Sequence, residues 1–91
     1  MDKIKCAHIL VEKQSQAIAV LDRLKQGEKF SEIAKQVSID TGSGKRGGDL
    51  GYFGRGKMVK PFENAAFKLS VGEISEPIKS EFGYHVIKRL A

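Results

Sequence analysis

The segment Gly42-Ser43-Gly44-Lys45-Arg46-Gly47-Gly48-Asp49-Leu50-Gly51-Tyr52-Phe53-Gly54-Arg55-Gly56-Lys57-Met58-Val59-Lys60-Pro61-Phe62 holds seven of the chain's ten glycines in its first fifteen residues. Glycine loses more conformational freedom on folding than any other residue and weakens regular elements. A small domain gathers it where turns or close backbone approach require it, so this segment is expected outside the core. Leu50, Tyr52, Phe53, Met58 and Phe62, set between and after the glycines, point to the wall of a groove. Pro61 suits the first turn of a helix, where its missing N–H would have no partner anyway. Phe62, Ala65, Ala66 and Leu69 give that helix an apolar face, and Leu50-Gly51-Tyr52-Phe53 reads as a brief strand before it.

Upstream, Ile4 to Val11 alternates Ile4, Cys6, His8 and Leu10 on one face with Lys5, Ala7, Ile9 and Val11 on the other. The run is apolar apart from Lys5 and His8, as in a central strand covered on both faces. Ser15 to Gln26 carries Ala17, Ile18, Leu21 and Leu24 at helical spacing, with Lys25 in the last turn and Gly27 as its stop. Phe30, Ile33, Ala34 and Val37 mark a second amphipathic helix. Downstream, Ile74 to Ile78, interrupted by Pro77, reads as a short edge strand, and Tyr84 to Leu90 as a closing strand. An α+β fold follows, with helices on the faces of an antiparallel or mixed sheet.

Ninety-one residues make one domain, 1–91, with room for one core. A hydrophobic content of 41% and a charged content of 30% exclude a disordered chain. No run reaches the roughly 18 apolar residues of a membrane span, and the first residues lack the apolar stretch and cleavage site of a secretory signal. A cytoplasmic location and a monomer are the expectations. The single cysteine, Cys6, allows no internal disulfide. The net charge of +5 is spread along the chain with no block of like charge, so no specific nucleic-acid site is expected. Weak recruitment to an anionic surface, including a membrane, through Lys3, Lys5, Lys29 and Lys35 stays open.

The chain has two histidines, His8 and His85, on its first and last strands. If those strands are neighbours the two imidazoles can hydrogen-bond in mid-sheet; otherwise each is separately satisfied. Cys6 and His8 alone cannot supply the four ligands of a structural zinc, so no metal is assigned. Gly42-Ser43-Gly44-Lys45-Arg46-Gly47 matches a bare Gly-x-Gly-x-x-Gly string, but it follows a helix and precedes a strand, the reverse of a dinucleotide fingerprint. No cofactor is implied, and no serine, cysteine or carboxylate has the sequence context of a hydrolase nucleophile.

Four segments together carry a resemblance. They are Cys6-Ala7-His8-Ile9-Leu10-Val11, Phe30-Ser31-Glu32-Ile33-Ala34, Gly47 through Glu63, and Phe82-Gly83-Tyr84-His85-Val86-Ile87. In this order the chain resembles the parvulin-type peptidyl-prolyl isomerases over nearly its whole length, the stand-alone prokaryotic and especially archaeal members above all. The resemblance implies a four-stranded, mostly antiparallel sheet surrounded by about four helices. It also implies cis/trans isomerisation of X-Pro bonds in proline-containing peptides and unfolded proteins. Position by position, the sheet histidines are His8 and His85, and Ser80 is the hydroxyl bonded to one of them. Asp40, with Thr41 beside it as the alternative, falls where members carry cysteine or aspartate near the reacting bond. Leu50, Met58 and Phe62 form the proline pocket, with Phe82 at its rim.

One departure matters. Phosphate-directed parvulins carry a basic loop after the first strand; here only Glu12 and Lys13 separate Val11 from the helix near Gln14. Specificity for phosphorylated residues before proline is not expected. A non-catalytic peptide-binding or holdase module of the same fold is the competing reading.

Overall fold

The alternation of Ile4 to Val11 produces strand β1 (Ile4–Val11), which lies second in a four-stranded sheet of order β2-β1-β4-β3. A computed structural model describes residues 2–91. The other strands are β2 (Asp49–Phe53), β3 (Ile78–Ser80) and β4 (Gly83–Arg89). Every pairing between them is antiparallel. The helices are α1 (Gln14–Lys25), α2 (Phe30–Val37), α3 (Thr41–Gly44) and α4 (Lys60–Lys68).

Because β1 is central, its two faces feed two apolar clusters. Ala7, Ile9 and Val11 pack with Val86 against Ala17 and Val20 of α1 and Phe30, Ile33 and Ala34 of α2. Ile4 and Cys6 pack on the other side with Phe53, Ile87, and Phe62 and Ala66 of α4. Helix α1 starts where Gln16 folds back, its Oε1 accepting from the backbone N–H groups of Glu12 and Lys13 at 3.1 and 2.9 Å. This satisfies donors that helix geometry leaves unpaired. Pro61 lies in the first turn of α4.

Two expectations are corrected. The expected strand Ile74 to Ile78 is displaced: Ile74 makes only an isolated bridge to Lys88, and continuous pairing begins at Ile78. Pro77 has no N–H to give to a ladder, so the strand starts just beyond it. Nor does the whole glycine segment lie outside the core. Ser43, Gly44, Gly47 and Gly48 are buried. Gly48, at φ +87°, is pressed so close to β1 that an added Cβ would collide with the carbonyl oxygen of His8. Its own carbonyl accepts from the His8 backbone N–H at 2.9 Å. Here glycine lets bare backbone pack in place of a side chain.

The register of β1 on β2 shifts between Cys6 and Ala7, which face Gly51 and Asp49 and leave Leu50 as an extra residue. A bulge of this kind bends the strand and re-aims a side chain. On the opposite edge, β3 and β4 are joined by the tight turn Glu81-Phe82, with Ser80 facing Gly83. Gly83, at φ +138°, lies against Val11, where a Cβ would strike the carbonyl oxygen.

Candidate active site

Leu10 faces His85 and His8 faces Ile87 across the β1–β4 ladder, so the two histidines are diagonal neighbours on one face of the sheet. Their Nδ1 atoms are 3.0 Å apart. Separate satisfaction of the rings is thereby excluded. From His8 the chain of bonds continues through Nε2 to Asp40 Oδ2 at 2.7 Å, which also accepts the Ser43 hydroxyl at 2.7 Å. From His85 it runs through Nε2 to Ser80 Oγ at 2.6 Å, and that oxygen accepts the Phe82 backbone N–H at 3.1 Å. Both imidazoles are buried, at 5% and 3% exposure, so their protonation follows from these partners.

Burial opposes the charged form of both rings. It lowers the His8 pKa below the ordinary 6.5, although the bond and charge of Asp40 work against it. It lowers His85 to about 4, with the neighbouring His8 adding to the effect. For Asp40, burial works to raise the carboxyl, but the bonds from Ser43 and His8 outweigh it and hold the pKa below the ordinary value. A carboxylate next to two neutral imidazoles allows one arrangement of protons. His8 carries its hydrogen on Nε2 and donates to Asp40; its bare Nδ1 accepts from His85 Nδ1–H; His85 Nε2 accepts from Ser80. Every link is satisfied, and all donors point toward Asp40.

This chain floors a cavity of about 450 Å³. Leu50, Met58, Val59, Phe62, Phe82 and Leu10 supply its apolar lining, with Asp40 and Lys57 as its charged members. Phe62 stands edge-on to both histidines, with ring centroids 5.6 and 5.3 Å away. Phe82, in the β3–β4 turn, is 57% exposed at the rim. The volume suits one small side chain and its adjoining backbone.

The loop before α4 is held from below by Glu63. This carboxylate is 2% exposed, accepts the Gly56 backbone N–H at 2.6 Å, and lies 3.6 Å from Arg55 and 3.8 Å from Lys60. The Gly56 N–H is the leading cause that lowers its pKa; burial opposes, and Lys60 and Arg55 add to the lowering. Arg55 in turn lies over the Phe67 ring at 4.2 Å. Lys57 and Met58 thus leave a loop pinned to the helix that carries Phe62.

A family model described as the PPIC-type PPIase, or rotamase, domain matches residues 8–91. The chain belongs to the parvulin family of peptidyl-prolyl isomerases. The solution structure of NmPin, the parvulin of Nitrosopumilus maritimus, is 67% identical with a TM-score of 0.90, covering 100% of this chain and 98% of that one. Pin from the archaeon Cenarcheaum symbiosum is 74% identical with a TM-score of 0.87, over 99% and 93% of the two chains. Foldase protein PrsA 1 of Bacillus cereus is 59% identical over 86 residues, which are 94% of this chain and 30% of that protein. The parvulin chain thus spans about a third of the length of the curated relatives it matches.

Within this parvulin the eight residues singled out from the sequence lie together. His8, Asp40, Leu50, Met58, Phe62, Phe82 and His85 line one cavity, and Ser80 touches it through His85. Asp40, not Thr41, reaches the histidine chain. Sequence reasoning missed Ser43, Lys57, Val59, Leu10 and Glu63. Glu63 had a signal, a carboxylate two residues after Pro61 in the first turn of α4; Ser43 had none. Of the four lysines considered for surface recruitment, Lys5 lies 3.8 Å from Asp49 and Lys35 3.7 Å from Glu32.

Proposed function

We propose that this domain isomerises X-Pro bonds in peptides and unfolded chains without a covalent intermediate and without requiring a phosphate before the proline. The observation that carries this reading is the placement of the Asp40 carboxylate and two neutral histidines beneath an apolar pocket, with the Ser43 and Ser80 hydroxyls held in the hydrogen-bond chain and neither among the residues that line the cavity. The one thiol, Cys6, is fully buried in the α4-side cluster, and burial raises its pKa to about 11. It stays protonated and away from the cavity.

Rotation about the peptide bond breaks no covalent bond, but it must give up amide resonance, a barrier of roughly 18–20 kcal/mol. A catalyst lowers that barrier only by binding the twisted amide better than either planar form. The planar amide is the more polar species, so removing water from its carbonyl favours the twisted one. Leu50, Met58 and Phe62 would grip the pyrrolidine ring while the preceding carbonyl turns beside Asp40. His8 and His85 act as positioning residues: they hold Asp40 and the pocket floor and exchange no proton with the substrate.

A protease-coupled isomerisation assay on a short Ala-Pro peptide tests the reading. Wild-type protein should accelerate the slow phase, and Met58→Ala and Phe62→Ala should each lose tenfold or more in kcat/KM with a folded circular dichroism spectrum. Asp40→Ala should lower kcat more than it raises KM. Absence of acceleration by wild-type protein would leave the holdase reading in its place, and wild-type kinetics in folded Met58→Ala would remove the pocket assignment.

A further inference from the structure

A second groove, of about 610 Å³, adjoins the first. It is lined by Asp2 and Lys3 before β1, Tyr52 and Phe53 at the end of β2, and Arg55 and Lys57 of the following loop. Lys57 lines both cavities, so the proline pocket and this groove border the same side chain. A peptide of any length seated in the pocket has to leave it somewhere. The wall here is ready to take a chain: Tyr52 is 63% exposed, with Lys5 Nζ 5.8 Å from its ring centroid, and β2 is one of the sheet's two edge strands, bonded on one side only.

The charges select the kind of chain. Three cations face one carboxylate, Asp2. Arg55 is occupied by Glu63 and Phe67. Lys3 and Lys57 lie within ion-pair distance of no carboxylate among the described residues. Two unneutralised ammonium groups beside an exposed aromatic ring form a local positive field that attracts acidic side chains.

Resting on the isomerase reading above, we infer that the groove is an extended substrate subsite, in which Lys57 and Lys3 select peptides carrying acidic residues on the flank that leaves the proline pocket past Lys57. The bond acted on is the same. What the groove adds is a preference among proline segments by the charge of residues outside the pocket, independent of phosphorylation.

The test is a set of proline peptides in which glutamate, glutamine or lysine is moved through each position from two before the proline to three after it. The readout is the ratio of kcat/KM for glutamate over glutamine within each protein variant. Loss of fold or of the isomerase activity itself would lower both members of the ratio and leave no turnover to compare. At low ionic strength wild-type protein should favour glutamate about 2–5-fold on one flank only, the range of an exposed ion pair, and lose the preference in high salt. Lys57→Glu and Lys3→Glu should each reduce the ratio, and the double variant should favour lysine at the same positions. No flank preference, or one that survives both substitutions, overturns the inference. So does a result in which the variants keep the peptide ratio but lose binding to vesicles of anionic lipid, since the groove would then be a membrane contact.

Discussion

The two faces of β1 begin from the same alternation and end in opposite conditions. On one, Ala7, Ile9 and Val11 enter a cluster made of aliphatic side chains, alanines and Phe30, closed by α1 and α2. On the other, Ile4 and Cys6 enter the α4-side cluster, but His8 and Leu10 border the cavity. One face can be optimised for packing alone. The other must keep polar groups buried, each satisfied, because a buried polar group without a partner costs more than its bond returns. No buried side-chain polar atom among the described residues lacks a partner. A face that only packs and a face that both packs and carries the site are therefore separated by the thickness of a single strand.

The largest effect that should test this separation is Ile9→Ala. Ile9 is fully buried on the packing face, and its truncation should cost about 2–5 kcal/mol in urea unfolding. Near-normal kcat and KM are expected at temperatures where the variant stays folded; a catalytic defect in that folded form would show that the two faces are coupled. Next is the acid limb of stability, which belongs to the other face. His85 takes up a proton near pH 6.5 when unfolded and only near about 4 when folded. The unfolded chain binds more protons between those values, so stability should fall as pH drops from 6.5 to 4 and the His85 contribution should level off below that. The displacement to about 4 corresponds to roughly 3 kcal/mol. His8, lowered in the same direction, adds to the loss. Unfolding midpoints between pH 7 and 4 measure it, and His85→Gln should remove most of the slope.

A smaller effect is expected at Glu63. Glu63→Gln keeps an acceptor for the Gly56 N–H but removes the charge facing Arg55 and Lys60. The loop carrying Met58 should loosen, raising KM about 2–5-fold with kcat nearly unchanged, a loss of uniform binding. A fall in kcat alone would place Glu63 in the transition state instead. The smallest effect should be that of Cys6→Ala, with kcat/KM within about twofold of wild type and a stability loss of about 1 kcal/mol. A large drop in turnover there would break the non-covalent mechanism.

Periodicity carried most of the fold. β1, α2 and α4 are long enough, and alternate clearly enough, for their buried faces to be read from residue type alone; in α1 the expected stripe is only partly right, since Ile18 is exposed and Val20, outside it, is buried. The failures have physical causes. α3 spans four residues, Thr41–Gly44, two of them glycine, and is held by turn bonds such as Gly44 N–H to the Asp40 carbonyl at 2.8 Å. No side-chain pattern announces such an element. The burial of Gly47 and Gly48 was illegible for the opposite reason: composition suggests freedom, whereas the absent Cβ is what lets this backbone lie against Ser31 and His8. At the site, the histidines, Ser80 and the pocket residues were legible only through family resemblance. Nothing in their separation along the chain shows that His8 and His85 meet. Ser43 and Lys57 belong to the loop geometry and needed coordinates.

The bonds beneath the pocket all run one way, from the Phe82 N–H to the Asp40 carboxylate. No single link can reverse without both rings exchanging tautomer together. A substrate bond turning in either sense thus meets the same frozen field, and the enzyme has no record to erase once the product leaves. Turnover in heavy water should run at nearly the rate in light water, for this is a catalyst without a reset.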